Sequence, residues 1–237
     1  MKAKQLEWRS GLLGLLACLL VFTLWPQVDV AVSAWFFDPV AQRFTATHWP
    51  WVIAIHEGFP LLGNVLFLVC LVALLVGQWR PQLVGKAWRR RFATWVVLVI
   101  VGIGVVVDWA FKDHVGRPRP EQIQVFAGNL PFVPAMHVTS YCDVNCSFVS
   151  GHASGAFSLM AWGLWAPWHR RKRWLIVGLG VGAVIGLMRI AQGGHFLSDV
   201  IFAGWTVWLV AQGMRFGWLR WRLAKLKAYR SSPNHSP

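Results

Sequence analysis

The sequence predicts an all-α polytopic membrane protein, a bundle of six transmembrane helices with both termini cytoplasmic. Three observations carry that prediction. Hydrophobic residues make up 56% of the 237 and charged ones 14%, with a mean hydropathy of +0.49, which excludes an ordinary soluble domain and a disordered chain. The apolar residues gather in six runs comparable to the roughly 20 residues that cross a hydrocarbon core. Tryptophans crowd the ends of those runs, at Trp25, Trp79, Trp109, Trp168, Trp174 and Trp218, as in the aromatic belts of a bilayer.

In chain order the runs are 11–25, 58–79, 92–111, 150–168, 174–188 and 197–217. The first follows Lys2, Lys4 and Arg9 and precedes Val32-Ser33-Ala34, a layout shared with cleaved signal peptides; cleavage would remove one helix and leave every later orientation unchanged. The fifth has only fifteen uncharged residues between Arg173 and Arg189, so those arginines must snorkel or line something wet. Along it Gly178, Gly182 and Gly186 recur every four residues, a packing face for a neighbouring helix. After the sixth run, 215–230 mixes aromatic and basic residues as an interfacial amphipathic helix does, and 231–237 reads as a disordered tail. No linker divides the chain, so residues 1–230 are one integral-membrane domain.

Charge sets the orientation. Eighteen of the 23 basic residues fall in the segments 2–9, 80–91, 170–173 and 215–230, which are cytoplasmic when the N-terminus is inside. The net charge of +14 is therefore topogenic and faces anionic lipid headgroups; it does not call for a nucleic-acid partner. On the outer face lie three clusters of ionisable residues, each costly beside apolar helices unless functional. They are Asp108, Lys112, Asp113, His114, Arg117 and Arg119; Ser150-Gly151-His152; and Arg189, His195 and Asp199.

Their chemistry converges on phosphate. Lys112, Arg119 and Arg189 supply fixed cations, and arginine grips phosphoryl oxygens in a fork. Ser150 and Gly151 open a helix, where backbone N–H groups favour an anion. His195 and Asp199, four apart, share one helix face, so the Asp can accept the Nδ1 proton and leave Nε2 as a nucleophile. Arg189 and His195 reach one ligand only if the helix breaks at Gly193-Gly194. His152 is left as the acid and base. Asp108 is spaced to pair with Lys112 as a supporting residue. Arg117 either binds substrate or braces the loop. His48, His56, His114 and His137 read as structural. Cys142 and Cys146, in the outer loop, are candidates for a disulfide; Cys18 and Cys70 lie within apolar helices. A metal site built on the Cys142/Cys146 pair with His137 fits no usual zinc spacing.

Lys112 followed after six residues by Arg119-Pro120, then Ser150-Gly151-His152, then Arg189, His195 and Asp199 resembles the three-part signature of the type-2 phosphatidic acid phosphatase superfamily in order, spacing and topology. The resemblance is sharpest over 112–199, within a catalytic core of about 108–200. It implies that Lys112, Arg119, Ser150, Gly151 and Arg189 hold the phosphoryl group, that His195 is the nucleophile with Asp199 as its orienting partner, and that His152 is the general acid. It implies no metal and no cofactor. The chain departs from the family pattern at Val149, usually Pro, and Met188, usually Ser; losing the Pro leaves the helix entry less preorganised. The stretches CSFVSGH at 146–152 and GHFLSD at 194–199 also resemble the branch that dephosphorylates lipid A in Gram-negative bacteria, which implies a bacterial inner membrane with the site facing the periplasm. Undecaprenyl diphosphate, phosphatidylglycerophosphate and phosphatidic acid offer the same anion, and a lipid-to-lipid phosphotransferase would share the first half-reaction. A transporter is disfavoured, because the charges gather at one face and not at mid-membrane.

Overall fold

The computed structural model describes residues 2–230, so the tail expected at 231–237 lies outside the described residues. Its α-helices are α1 (Lys2–Leu24), α2 (Gln27–Ala34), α3 (Pro50–Trp79), α4 (Lys86–Val97), α5 (Gly151–Phe157), α6 (Trp168–Ala191) and α7 (Leu197–Arg230). Without a break, α4 continues as a π-helical stretch, Leu98–Lys112, and α5 as a 3-10 stretch, Ser158–Gly163. A two-residue hairpin, β1 (Phe37–Asp38) with β2 (Arg43–Phe44), sits between α2 and α3, with Phe37 opposite Phe44.

Five spans are long and apolar enough to cross a membrane by length and composition: Glu7–Leu24, Pro50–Trp79, Lys86–Lys112, Trp168–Ala191 and Leu197–Lys225. The fourth expected run is the exception. Its seven α-helical and six 3-10 residues rise roughly 22 Å, short of a ~30 Å hydrocarbon core. Yet its ends reach opposite ends of the bundle. The Ser150 N–H donates to the Asp199 carbonyl (3.1 Å) beside the start of α7, whereas Trp165 packs on Trp218, 4.7 Å between ring centroids, towards the far end. Along it Ala153, Ala156, Phe157, Met160 and Ala161 are enclosed by protein.

The core lies between α4 with its π-helical continuation, α5, α6 and α7. On α6 the glycine stripe brings α5 and α7 close. A Cβ on Gly178 would stand 2.8 Å from the Met160 backbone, one on Gly182 2.2 Å from the Phe157 ring, and one on Gly186 2.2 Å from Val200. By contrast, the 30-residue α3 buries only Val52, Cys70 and Gly77, so it stands at the lipid-facing edge.

Other expectations change in detail. Instead of a membrane helix followed by a separate interfacial one, α7 is a single 34-residue helix. Gly213 and Gly217 fall within it with open space around them, and no proline interrupts it. The fifth run gains a basic first turn, because α6 begins at Trp168 and takes in Arg170–Arg173. The suspected cleavage site is folded into α2, whose Asp29 and Ser33 are fully buried. A cut there would remove Asp29, to which α7 is bonded.

Candidate active site

Three segments meet where α6 hands over to α7. The turn between them is the break expected at the glycines: α6 ends at Ala191, Gly193 takes φ +71°, and α7 starts at Leu197. Close approach fixes Gly194, where a Cβ would lie 2.3 Å from an Arg189 Nη atom. Likewise Gly151 admits Lys112, since a Cβ would lie 2.7 Å from Nζ. Residues 113–150 fold over this end as a loop, pinned by the Cys142–Cys146 disulfide, Cα–Cα 5.8 Å.

His195 is buried, and its Nδ1–H donates to the Ser147 carbonyl at 2.8 Å, which leaves Nε2 with the lone pair. The expected partner, Asp199, stands beside it. The Asp199 carboxylate lies 3.8 Å from Nδ1, within electrostatic reach but beyond a hydrogen bond. That carboxylate is taken up elsewhere: it accepts from Arg117 (2.5 Å), from the Ser147 hydroxyl (2.5 Å) and from the Phe196 N–H (2.7 Å), the last closing the first turn of α7. Ser147 thus bonds both residues, its hydroxyl donating to Asp199 and its carbonyl accepting from His195. Burial drives the His195 pKa down to about 4; Asp199 pulls it up, and Arg189 and Arg119 push it further down. The imidazole is neutral at pH 7.

Arg117 is turned into the fold. Fully buried, it donates to Asp199, to Ser198 Oγ (2.8 Å), to Asp29 (2.8 Å) and to the Val133 carbonyl (2.9 Å), and lies 4.3 Å over the Phe196 ring. Four of its five N–H donors are bonded within the fold, and the side chain has no exposed surface. Asp29 in turn accepts from the Ser198 N–H and hydroxyl, at 2.8 and 2.5 Å.

The other three cations are held mainly by neutral groups. Lys112 donates to Asn145 Oδ1 (3.2 Å) and stands 3.4 Å from Asp108, the pair anticipated from their spacing. Arg119 donates to the Asn145 carbonyl (3.0 Å), so one residue ties the first two cations together. Arg189 donates to Gln192 (2.6 Å) and to His56 Nδ1 (3.0 Å), and its buried Nε has no hydrogen-bond partner. An oxyanion would fill that donor. Ser150 is fully buried and caps α5 through Ala153 N–H (3.4 Å), so its hydroxyl sets the helix start. His152 donates Nε2–H to the His56 carbonyl (3.2 Å) and stacks on the His56 ring, centroids 4.6 Å apart.

Asp29, His56, Asn145, Ser147, Gln192 and Ser198 were not singled out as site residues by sequence reasoning. Two carried a readable signal: Asp29 and His56 are ionisable side chains in apolar stretches, the criterion that picked out the other clusters. Nothing local marks Asn145 or Ser147. Among the described residues no group of three His, Cys, Asp or Glu side chains is placed to hold a metal ion.

From Lys112, Gly151 and His152 an apolar groove of about 590 Å³ runs between α3 and the π-helical stretch, walled by Phe59, Leu66, Phe67, Val99 and Ile103. Lys112, paired with Asp108, stands at the polar end of this apolar trough, whose walls suit the hydrocarbon part of an amphiphile.

Residues 92–222 match the model of the PAP2 superfamily. The chain belongs to the PAP2 superfamily. Curated relatives agree with that membership. The Lipid A 4'-phosphatase of Francisella tularensis subsp. novicida is 33% identical over 84% of this chain and 90% of that protein. The Lipid A 4'-phosphatase of Rhizobium etli is 31% identical over 82% of this chain and 80% of its own. Among solved structures, a transmembrane PAP2 type phosphatidylglycerolphosphate phosphatase from Bacillus subtilis has a TM-score of 0.42 and 17% identity, covering 85% of this chain and 96% of that one. All the expected motif residues fall inside the stretch matched to the PAP2 model.

Proposed function

We propose that this membrane lipid phosphatase removes a phosphate from lipid A through a phosphohistidine on His195. The observation that carries the mechanism is His195 itself: buried, neutral, its Nδ1 proton committed to Ser147, and within the field of Arg119 and Arg189. The substrate reading rests on the two lipid A phosphatase relatives and the apolar groove beside Lys112 and His152.

In the first step Lys112, Arg119 and Arg189 hold the phosphoryl oxygens. Nε2 of His195 attacks phosphorus, the P–O bond to the lipid breaks, and His152, whose protonation the bound phosphate anion favours, gives its proton to the departing oxygen. His152 then takes a proton from water, whose oxygen attacks phosphorus; the P–N bond breaks, and inorganic phosphate leaves with neutral His195 restored. No step uses a metal. The asymmetric distribution of basic residues supports six crossings with cytoplasmic termini, the short α5 segment being the fourth, and a site at the periplasmic face of the inner membrane. Residues 2–230 form one catalytic domain in this reading.

The test uses purified protein with lipid A, undecaprenyl diphosphate, phosphatidylglycerophosphate and phosphatidic acid, scoring phosphate release. Fastest release from lipid A is expected, with acid-labile label trapped on His195 after a brief reaction. Label on His152 would overturn the roles; preference for another lipid would overturn the substrate; transfer to a second lipid without free phosphate would make the enzyme a phosphotransferase.

A further inference from the structure

The opposite end of the bundle holds a second arrangement of cations above an apolar groove, unconnected with catalysis. Arg171, near the start of α6, lies 18 residues from Arg189, about 27 Å along the helix axis, which is roughly the depth of a bilayer core. A pocket of about 510 Å³ at this end is lined by Arg90, Arg171, Arg215 and Glu7, with Trp165 and Trp218 as its aromatic walls. Three guanidinium groups face one carboxylate. Glu7 is bonded to Arg171, lies 3.7 Å from Arg215 and accepts from Gln212 at 2.9 Å. Arg90 has no such carboxylate and lies over the Trp165 and Trp218 rings at 5.3 and 5.9 Å. Positive charge is therefore in excess.

Glu7 and Trp168 also line a second cavity, of about 950 Å³, between α1, α6 and α7. That cavity is apolar. Leu175, Leu179, Ala183 and Leu187 form its α6 wall, and Gly204 and Trp208 part of its α7 wall. From Leu175 to Leu187 it extends about 18 Å along α6, close to the ~15 Å of one leaflet's hydrocarbon. We infer that this end of the bundle binds an anionic phospholipid, its phosphate between Arg90, Arg171 and Arg215 and an acyl chain in the groove between α1, α6 and α7.

Charge complementarity selects the occupant. The arginine excess at the mouth attracts an anion, whereas the groove excludes anything without a hydrocarbon chain, and one phospholipid supplies both. A second copy docking the same end would bring its own arginine excess against this one.

The inference is tested by native mass spectrometry of the protein in non-ionic detergent, titrated with phosphatidylglycerol or phosphatidylcholine of identical chains. Retention of one phosphatidylglycerol is expected, with phosphatidylcholine weaker. Arg90→Gln should weaken phosphatidylglycerol about fivefold, as expected for one arginine at a lipid surface. Ala183→Trp, at an exposed position on the groove wall, should reduce retention by filling the groove, and Lys112→Ala should leave it unchanged. Equal binding of the two lipids would overturn the proposal, as would loss on Lys112→Ala without loss on Ala183→Trp, which would place the lipid in the catalytic site. Displacement by millimolar inorganic phosphate would mean a site for a free anion. A dimer dissociated by Ala183→Trp would mean a second copy in the groove.

Discussion

Arg117 and Arg189 both lie at the junction of α6 and α7, Arg117 bonded to Ser198 and Asp199 and Arg189 in the last turn of α6, and they are held in opposite ways. Arg117 has carboxylates on both flanks, Asp29 and Asp199, and every group it bonds belongs to the fold. Arg189 hydrogen-bonds a glutamine and a histidine, both neutral acceptors, has the Glu121 carboxylate in its field but not bonded to it, and keeps a buried Nε with no partner. What separates a structural arginine from a ligand-binding one is the charge of its neighbours. A carboxylate on each side neutralises the cation and makes it part of the scaffold; uncharged acceptors position it and leave its charge for an incoming anion.

The largest effect comes from breaking the carboxylate-flanked side. Arg117→Ala leaves Asp29 and Asp199 buried without their cation, and removing one partner of a buried ion pair commonly costs about 3–5 kcal/mol. Burial already raises the Asp29 pKa, which Arg117 holds down, so the variant adds to an existing penalty. Thermal denaturation in detergent should show a large loss of stability, with phosphatase activity falling in step with the folded fraction. A stable Arg117→Ala protein with a raised KM would assign Arg117 to substrate instead.

The open side should fail differently. Lys112→Ala, Arg119→Ala and Arg189→Ala are each expected to lower the rate about 10²–10³-fold, the usual consequence of losing one preorganised contact to transition-state charge. Melting temperatures should stay near the parent's. Orthovanadate should protect the parent against heat and protect each variant less. Full activity in all three variants would remove the phosphate cradle.

The same contrast marks how much was legible in the sequence. Arg189, His195 and Asp199 were readable because charge beside apolar helices is costly and their spacing puts them at one helix junction. The shortness of the fourth run was not, because helix length was inferred from apolar content, while the 3-10 form of Ser158–Gly163 depends on enclosure by α4 and α6. Arg117 had to stay ambiguous: its role is fixed by Asp29, 88 residues away, and no local pattern pairs them. Asp199 was assigned to His195 on their i,i+4 spacing, but the helix starts between them, so the side chain turns to Arg117, Ser147 and the Phe196 N–H. Spacing gave the neighbourhood; the bond went to the stronger partner.

A smaller effect concerns pH. With its pKa near 4, His195 keeps its lone pair through the range where an ordinary histidine, near 6.5, gains a proton. The sign follows from the depressed value. The unfolded chain takes up this proton at higher pH than the folded one, so stability present above 6.5 is lost as pH falls through about 4. Nitrogen NMR of the labelled protein should show one imidazole, absent from His195→Gln, titrating well below 6.5. A His195 signal titrating at 6.5 or above would mean that the site is wetter than its burial indicates.

The smallest effect isolates His56, which touches both sides of the chemistry. Its Nδ1 accepts from Arg189 and its ring stacks on His152, so His56 touches the proposed phosphate-binding arginine and the proposed acid together. His56→Gln keeps an acceptor within reach of Arg189 but loses the aromatic face. One hydrogen bond to a charged group is worth about 1.5–3 kcal/mol, of which a glutamine restores part, so a decrease of roughly fivefold to tenfold in kcat is expected. The decrease should depend on the leaving group: greatest with a lipid alkoxide, which needs the proton of His152, and slight with p-nitrophenolate, which does not. A loss of equal size for both would make His56 a general brace of the α3–α5 contact; a selective loss ties it to the proton path through His152.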